Sequence, residues 1–132
     1  MPKKAASKRV AKKSPAATPL LVADTEKSAD QLYVGGFSVP DPFISFRHSR
    51  KWYAVLNQLE YARALKESRF DAVLPLEDCM ETAREMFQQP RVGIAQVIAA
   101  IAAEFEIESF KVPGDFPSGV AFKLVELGLQ VE

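Results

Sequence analysis

The stretch PFISFRHSRKWYAVL, residues 42–56, constrains this chain's fold more than any other segment. Phe43, Ser45 and Arg47 alternate with Ile44, Phe46 and His48, and after the polar link HSRK, Trp52, Ala54 and Leu56 alternate with Tyr53 and Val55. A period of two sends successive side chains to opposite faces of a strand. A link this short has no room for a crossover helix, so the two strands must be antiparallel.

Beyond Leu56 the period lengthens. NQLEYARALKES places Leu59, Ala62 and Leu65 at helical spacing, and FDAVLPL reads as a short strand closed by Pro75. EDCMETAREMFQQP reads as a helix stopped at Pro90. In RVGIAQVIAAIAAEFEI, the residues Ile94, Val97, Ile98, Ile101 and Phe105 form one apolar helical stripe. ESFKVP is the next strand, followed by a helix with Pro117 in its first turn, Val120, Leu124 and Leu127 inward, and Gly128 at its end. LQVE closes the chain as a final strand, which reads as a boundary inside a longer protein. An antiparallel opening followed by β-α-β-α-β gives an α/β domain, a mixed sheet flanked by helices.

Upstream, DQLYVGGF shows Leu32 and Val34 opposite Tyr33, which predicts a strand ended by Gly35 and Gly36. The first 22 residues differ in kind. They contain Lys3, Lys4, Lys8, Arg9, Lys12 and Lys13 and no acid, which leaves residues 23–132 with 11 Lys/Arg against all 17 Asp/Glu. The zero net charge thus hides a basic leader on an acidic body. Poor in large apolar residues and self-repelling, residues 1–22 are expected to be a disordered tail, with the folded domain at 23–132. Those six cations form one candidate polyanion-binding element, although no aromatic residue is interleaved to stack on bases, which argues against nucleic acid.

No apolar run reaches the roughly 20 residues that span a bilayer, so no membrane partner is expected. The single cysteine, Cys79, cannot form an internal disulfide and fits a reducing, cytoplasmic setting. Reactive chemistry is hard to assemble. The one histidine, His48, is expected in a hairpin turn, and Ser49 beside it has no orienting carboxylate. The glycine pair lacks both phosphate-loop spacings. Pro40-Asp41 lacks the second acid and lysine of a metal nuclease. Glu77, Asp78, Glu81 and Glu85 read as a solvated helix face with Arg84 among them. No catalytic or metal-ligating set is assigned, and no cofactor is expected in this chain.

The order of these pieces resembles the N-terminal domain of the Xaa-Pro peptidases, the group of prolidase, aminopeptidase P and creatinase. The resemblance runs over about residues 28 to 132. It rests on Tyr33, Gly36 and Phe37 of a Y-x-x-G-F segment with Asp41-Pro42 behind it. Glu60 follows the hairpin, and Val112, Pro113, Phe116 and Pro117 form a V-P-x-x-F-P segment. It implies a domain separate from a C-terminal pita-bread catalytic domain, in which two divalent metals (Mn, Zn or Co) are held by two aspartates, a histidine and two glutamates. It also implies homodimerisation of the parent, a proline-containing peptide substrate, and a role in shaping access to the active site. Phe37, Asp41 and Phe43, on the loop from Gly35 to Phe43, are the candidates for a substrate-proximal position. A creatinase-like or an inactive parent fits the same resemblance, and a stand-alone module using its basic tail is the alternative.

Overall fold

The computed structural model describes residues 17–24, 28–36, 39 and 42–132. The cationic leader positions Lys3 to Lys13, and Phe37 and Asp41 of the loop, lie outside the described residues. Six strands form one mixed sheet in the order β4-β3-β2-β1-β5-β6. They are β1 (Thr18–Ala23), β2 (Phe43–His48), β3 (Lys51–Leu56), β4 (Ala72–Pro75), β5 (Ser109–Lys111) and β6 (Gln130–Val131). β2 runs antiparallel to both neighbours, while the β3/β4, β1/β5 and β5/β6 pairs are parallel. Among the described residues five helices flank it: α1 (Ala29–Gly35), α2 (Gln58–Glu67), α3 (Leu76–Phe87), α4 (Ile94–Phe105) and α5 (Ser118–Glu126). None of the helices among the described residues is long and apolar enough to cross a membrane.

Two expectations are corrected at the N-terminal side. Residues 18–22, assigned above to the tail, belong to β1, and β1 lies between β2 and β5 in the middle of the sheet. PLLVA is a short, continuous apolar run, the pattern of a strand covered on both faces. Leu20, Leu21 and Val22 are accordingly 1%, 7% and 6% exposed. Residues 29–35, expected as a strand, form α1. Ser28 caps it, its Oγ accepting from the Gln31 N–H at 3.2 Å, and Gly36 ends it at φ 68° with its N–H on the Leu32 carbonyl at 2.8 Å. An alternation of three residues is too short to outweigh a cap at each end.

The hairpin forms with a tighter turn than HSRK. His48 pairs with Lys51 inside the ladder, and Ser49 and Arg50 alone make the bend, at φ 52° and 68°. Positive φ at both central residues matches the twist of the flanking strands, usually at the hands of Asn-Gly.

The sheet carries a helical layer on each face. Leu20, Val22, Ile44, Phe46, Val55 and Phe110 pack under α3, α4 and α5, against Ala83, Ile98, Ile101 and Leu124. α4 is the middle helix of that layer, and Val97 through Ala102 are all buried. Its alanines allow α3 and α5 to close on either side, which widens the expected single stripe into a band; Ile94, at its start, is 42% exposed. On the opposite face, Phe43, Ala54, Leu56 and Val73 pack with Tyr61, Ala64 and Phe70 under α2. The Leu59, Ala62, Leu65 stripe of α2 points outward instead, with Leu59 83% exposed. Tyr61 and Ala64 are the inward positions, and the small Ala64 lets the helix lie close on the sheet. Val120, Leu124 and Leu127 face the core as expected.

Truncating the two leucine positions should separate core from surface. Leu124→Ala, at a fully buried site, is expected to lower unfolding free energy by about 3 kcal/mol in a urea titration. Leu59→Ala should change it by less than about 0.5 kcal/mol.

Candidate functional site

The segment from Gly35 to Phe43 is fixed at both ends by packing. A Cβ on Gly35 would lie 2.4 Å from the Phe70 ring, so only glycine lets that ring close against α1. Arg69 clamps the end of the helix: its backbone N–H donates to the Gly35 carbonyl at 2.7 Å, and its guanidinium donates to the Tyr33 carbonyl. A cation at a helix C-terminus also answers the partial negative charge of its unpaired carbonyls. Further along, Val39 is 1% exposed and Phe43 is 6% exposed. The Phe43 ring meets Phe70 edge-on at 6.0 Å. Phe43 therefore packs in the core at the start of β2, while Phe37 and Asp41, the other two substrate-proximal candidates, lie outside the described residues. Pro42 remains exposed between these anchors.

Beside the loop lies a small apolar cleft of ≈ 80 Å³ at the carboxyl end of β3, lined by Val39, Pro42, Leu56, Glu60, Leu76 and Ile94 among others. Glu60 is its one acid. Asn57 Oδ1 accepts from the Glu60 N–H at 3.0 Å, which sets the first turn of α2, and the Glu60 carboxylate pairs with Arg63 at 3.0 Å. Among the described residues that line the cleft, no Ser, Thr, Cys, Lys or His stands beside that paired carboxylate. A cleft of this size accommodates an apolar side chain.

α1 itself is held by a buried polar knot that the sequence reading missed. Gln31 is 0% exposed. Its Nε2 donates to the Ala23 carbonyl at 3.1 Å and to the Phe43 carbonyl at 2.9 Å, and its Oε1 accepts from the hydroxyl of Ser45, also 0% exposed. One amide thereby ties the end of β1 to the start of β2. The available signal was Ser28-x-x-Gln31, the spacing of a helix N-terminal capping box.

The remaining candidates are dispersed. His48 ends β2 rather than sitting in the turn, and its ring meets Phe105 edge-on at 5.3 Å; Phe105 also meets Phe46 and Tyr53. Glu77, Asp78, Glu81 and Glu85 are exposed on α3, with Glu81 paired to Arg84 at 3.0 Å. Among the described residues no three His, Cys, Asp or Glu side chains come together as a metal site. Cys79 is half-buried against the core, and burial, with Glu104 and Asp78 adding to it, pushes its thiol up to about 11. A thiol that stays protonated at neutral pH is a poor nucleophile.

With this architecture in view, the fold is that of Xaa-Pro aminopeptidase and prolidase chains. The X-Pro aminopeptidase of Thermotoga maritima aligns over 87% of this chain with a TM-score of 0.63 at 10% identity. The prolidase of Pyrococcus furiosus aligns over 86% with a TM-score of 0.56 at 13% identity. This chain spans 30% and 27% of those two chains respectively. An Xaa-Pro aminopeptidase structure from Streptococcus pyogenes aligns over 87% with a TM-score of 0.58 at 13% identity, and there the match spans 75% of that chain. At these identities the likeness is one of fold. No protein-family model and no curated protein matches the sequence.

Two measurements test this site. Gln31→Leu strands the Ser45 hydroxyl and two carbonyls in the interior, and should cost about 2–4 kcal/mol of stability in chemical denaturation. Iodoacetamide labelling of Cys79 in the folded chain at pH 8 should be on the order of 100-fold slower than that of an exposed cysteine, since thiolate falls tenfold for each pH unit by which the titration is raised. The rate should converge on the exposed value once urea unfolds the chain.

Proposed function

We propose that this chain is the non-catalytic N-terminal domain of an Xaa-Pro peptidase. Its work is to support dimerisation of the parent and to shape the approach of proline-containing peptides to a separate catalytic domain. The observation that carries the reading is the pattern of coverage. One six-stranded fold accounts for nearly all of this chain, yet for under a third of the Thermotoga and Pyrococcus chains that share it. The chemistry of the described residues points the same way. The single histidine packs on Phe105, the cleft's one acid is paired with Arg63, and the acids of α3 face solvent alongside Arg84.

Among the described residues no converging set of ligands fits the two divalent metals that the fold family implies. The reading places them in the catalytic domain of the parent, and no step of hydrolysis is derived for this chain. In this reading the loop between Gly36 and Phe43 is the element that acts on a neighbouring site. It is anchored firmly by Arg69, Val39 and Phe43, with Pro42 outward.

The 132-residue chain supplied with Mn²⁺, Co²⁺ or Zn²⁺ should leave an Xaa-Pro dipeptide intact, as read by release of free proline. Turnover by this chain alone would overturn the reading. So would a parent reading frame that carries no Asp, Asp, His, Glu, Glu ligand set downstream.

A further inference from the structure

At the opposite end of the sheet from the apolar cleft, β1 parts from β2. Leu20 through Ala23 pair with β2, but Thr18 and Pro19 pair with Phe110 and Lys111 of β5. Pro19 has no N–H to give to a β2 partner, so the antiparallel ladder ends at Leu20 and Phe46. The wedge left between the diverging strands is an open groove of ≈ 440 Å³, within the roughly 300–1,000 Å³ of small-ligand sites. Arg47 and Arg50 of the hairpin contribute to its lining, as do Glu106 and Glu108 of the α4–β5 connection. None of these four charged side chains makes an ion pair among the described residues. Both signs of charge thus line one groove without neutralising each other.

The backbone at this groove is also unusual. Among the described residues four non-glycine positions have positive φ, and three of them, Ser49, Arg50 and Glu106, line this groove. Each such conformation carries a steric cost that glycine would avoid. At Arg50, φ 68° suits glycine in a two-residue hairpin, yet the position carries a long cation.

We propose that this groove binds a short extended peptide with both termini free, its carboxylate on Arg47 and Arg50 and its ammonium group on Glu106 and Glu108. Arginine suits the carboxylate end because its planar fork matches the two oxygens. Two acids suit the ammonium end, whose donors are all on one nitrogen. The inference rests on the groove alone and is independent of the peptidase reading, since it involves no bond cleavage.

The test is an amide chemical-shift titration of the full chain with Ala-Ala-Ala, its N-acetyl form and its C-terminal amide. Shifts should concentrate at residues 47–50 and 106–109, and capping either end should weaken binding by about fivefold, the scale of one or two exposed charge pairs. Arg50→Gly should raise the melting temperature by about 2–5 °C by relieving the hairpin, while weakening the tripeptide by a similar fivefold. Glu108→Gln should weaken it with the melting temperature unchanged. No shifts at millimolar peptide, equal binding of the capped forms, acetate or ethylammonium binding as well as the tripeptide, or unaltered affinity in both variants would each overturn the proposal.

Discussion

The structure depends first on one strand that two half-sheets share. β1 gives its last four residues to β2 and its first two to β5, so it alone joins the β2-β3-β4 half to the β5-β6 half. A strand in that position must be apolar on both faces, because helices lie above it and below it. Leu20 and Val22 enter the core under α3, α4 and α5, while Leu21 is buried on the α1 side. Burying three such side chains stabilises the fold by about 1.5–3 kcal/mol each. Their larger effect is topological, since removing β1 would leave two sheets of two or three strands with no shared edge.

Gln31 does for the α1 side what β1 does for the sheet. β1 and β2 run antiparallel, so the end of one lies beside the start of the other, and the chain between them must turn back through α1. Apolar contacts alone would let a seven-residue helix slide along the sheet. An amide that must find two carbonyls and one hydroxyl at once has a single register. The interior dielectric raises the cost of any slip, because every partner left behind would be buried and unpaired. Arg69 and the Gly35–Phe70 contact then fix where α1 ends, and so where the loop toward Phe43 begins.

What the sequence made legible follows from the length of each signal. The β2/β3 hairpin shows alternation on both arms, and α4 carries five stripe residues over twelve positions, so both are readable from the chain alone. α1 has seven residues, and its evidence lay in Ser28-x-x-Gln31 and Gly36 rather than in periodicity. β1 was concealed by its neighbour, a basic leader whose composition dominated the whole 22-residue window. α2 exposes a different limit: periodicity identifies a helix but not its inward face. Leu59 and Leu65 outweigh Ala64 on any hydrophobic scale, yet Tyr61 and Ala64 are the residues that face the sheet. Phe43, named as a loop candidate, begins β2 and is buried, since a residue next to Pro42 can begin a strand as readily as it can end a turn.

The mixed topology also shapes the openings at the two ends of the sheet. In a purely parallel sheet the ligand-binding openings gather at the carboxyl ends of the strands, where the connections diverge. One antiparallel strand in the middle changes that. β2 begins where β1 and β3 end, which brings Phe43 and Pro42 to the carboxyl-end cleft beside Leu56. It finishes where β1 and β3 begin, and there Pro19 stops the ladder and opens the charged groove beside Arg47. The two openings therefore differ in character for a structural reason. One is apolar because both buried layers reach it at the strand ends, and the other is charged because it lies at a hairpin tip and a helix end, where side chains reach water.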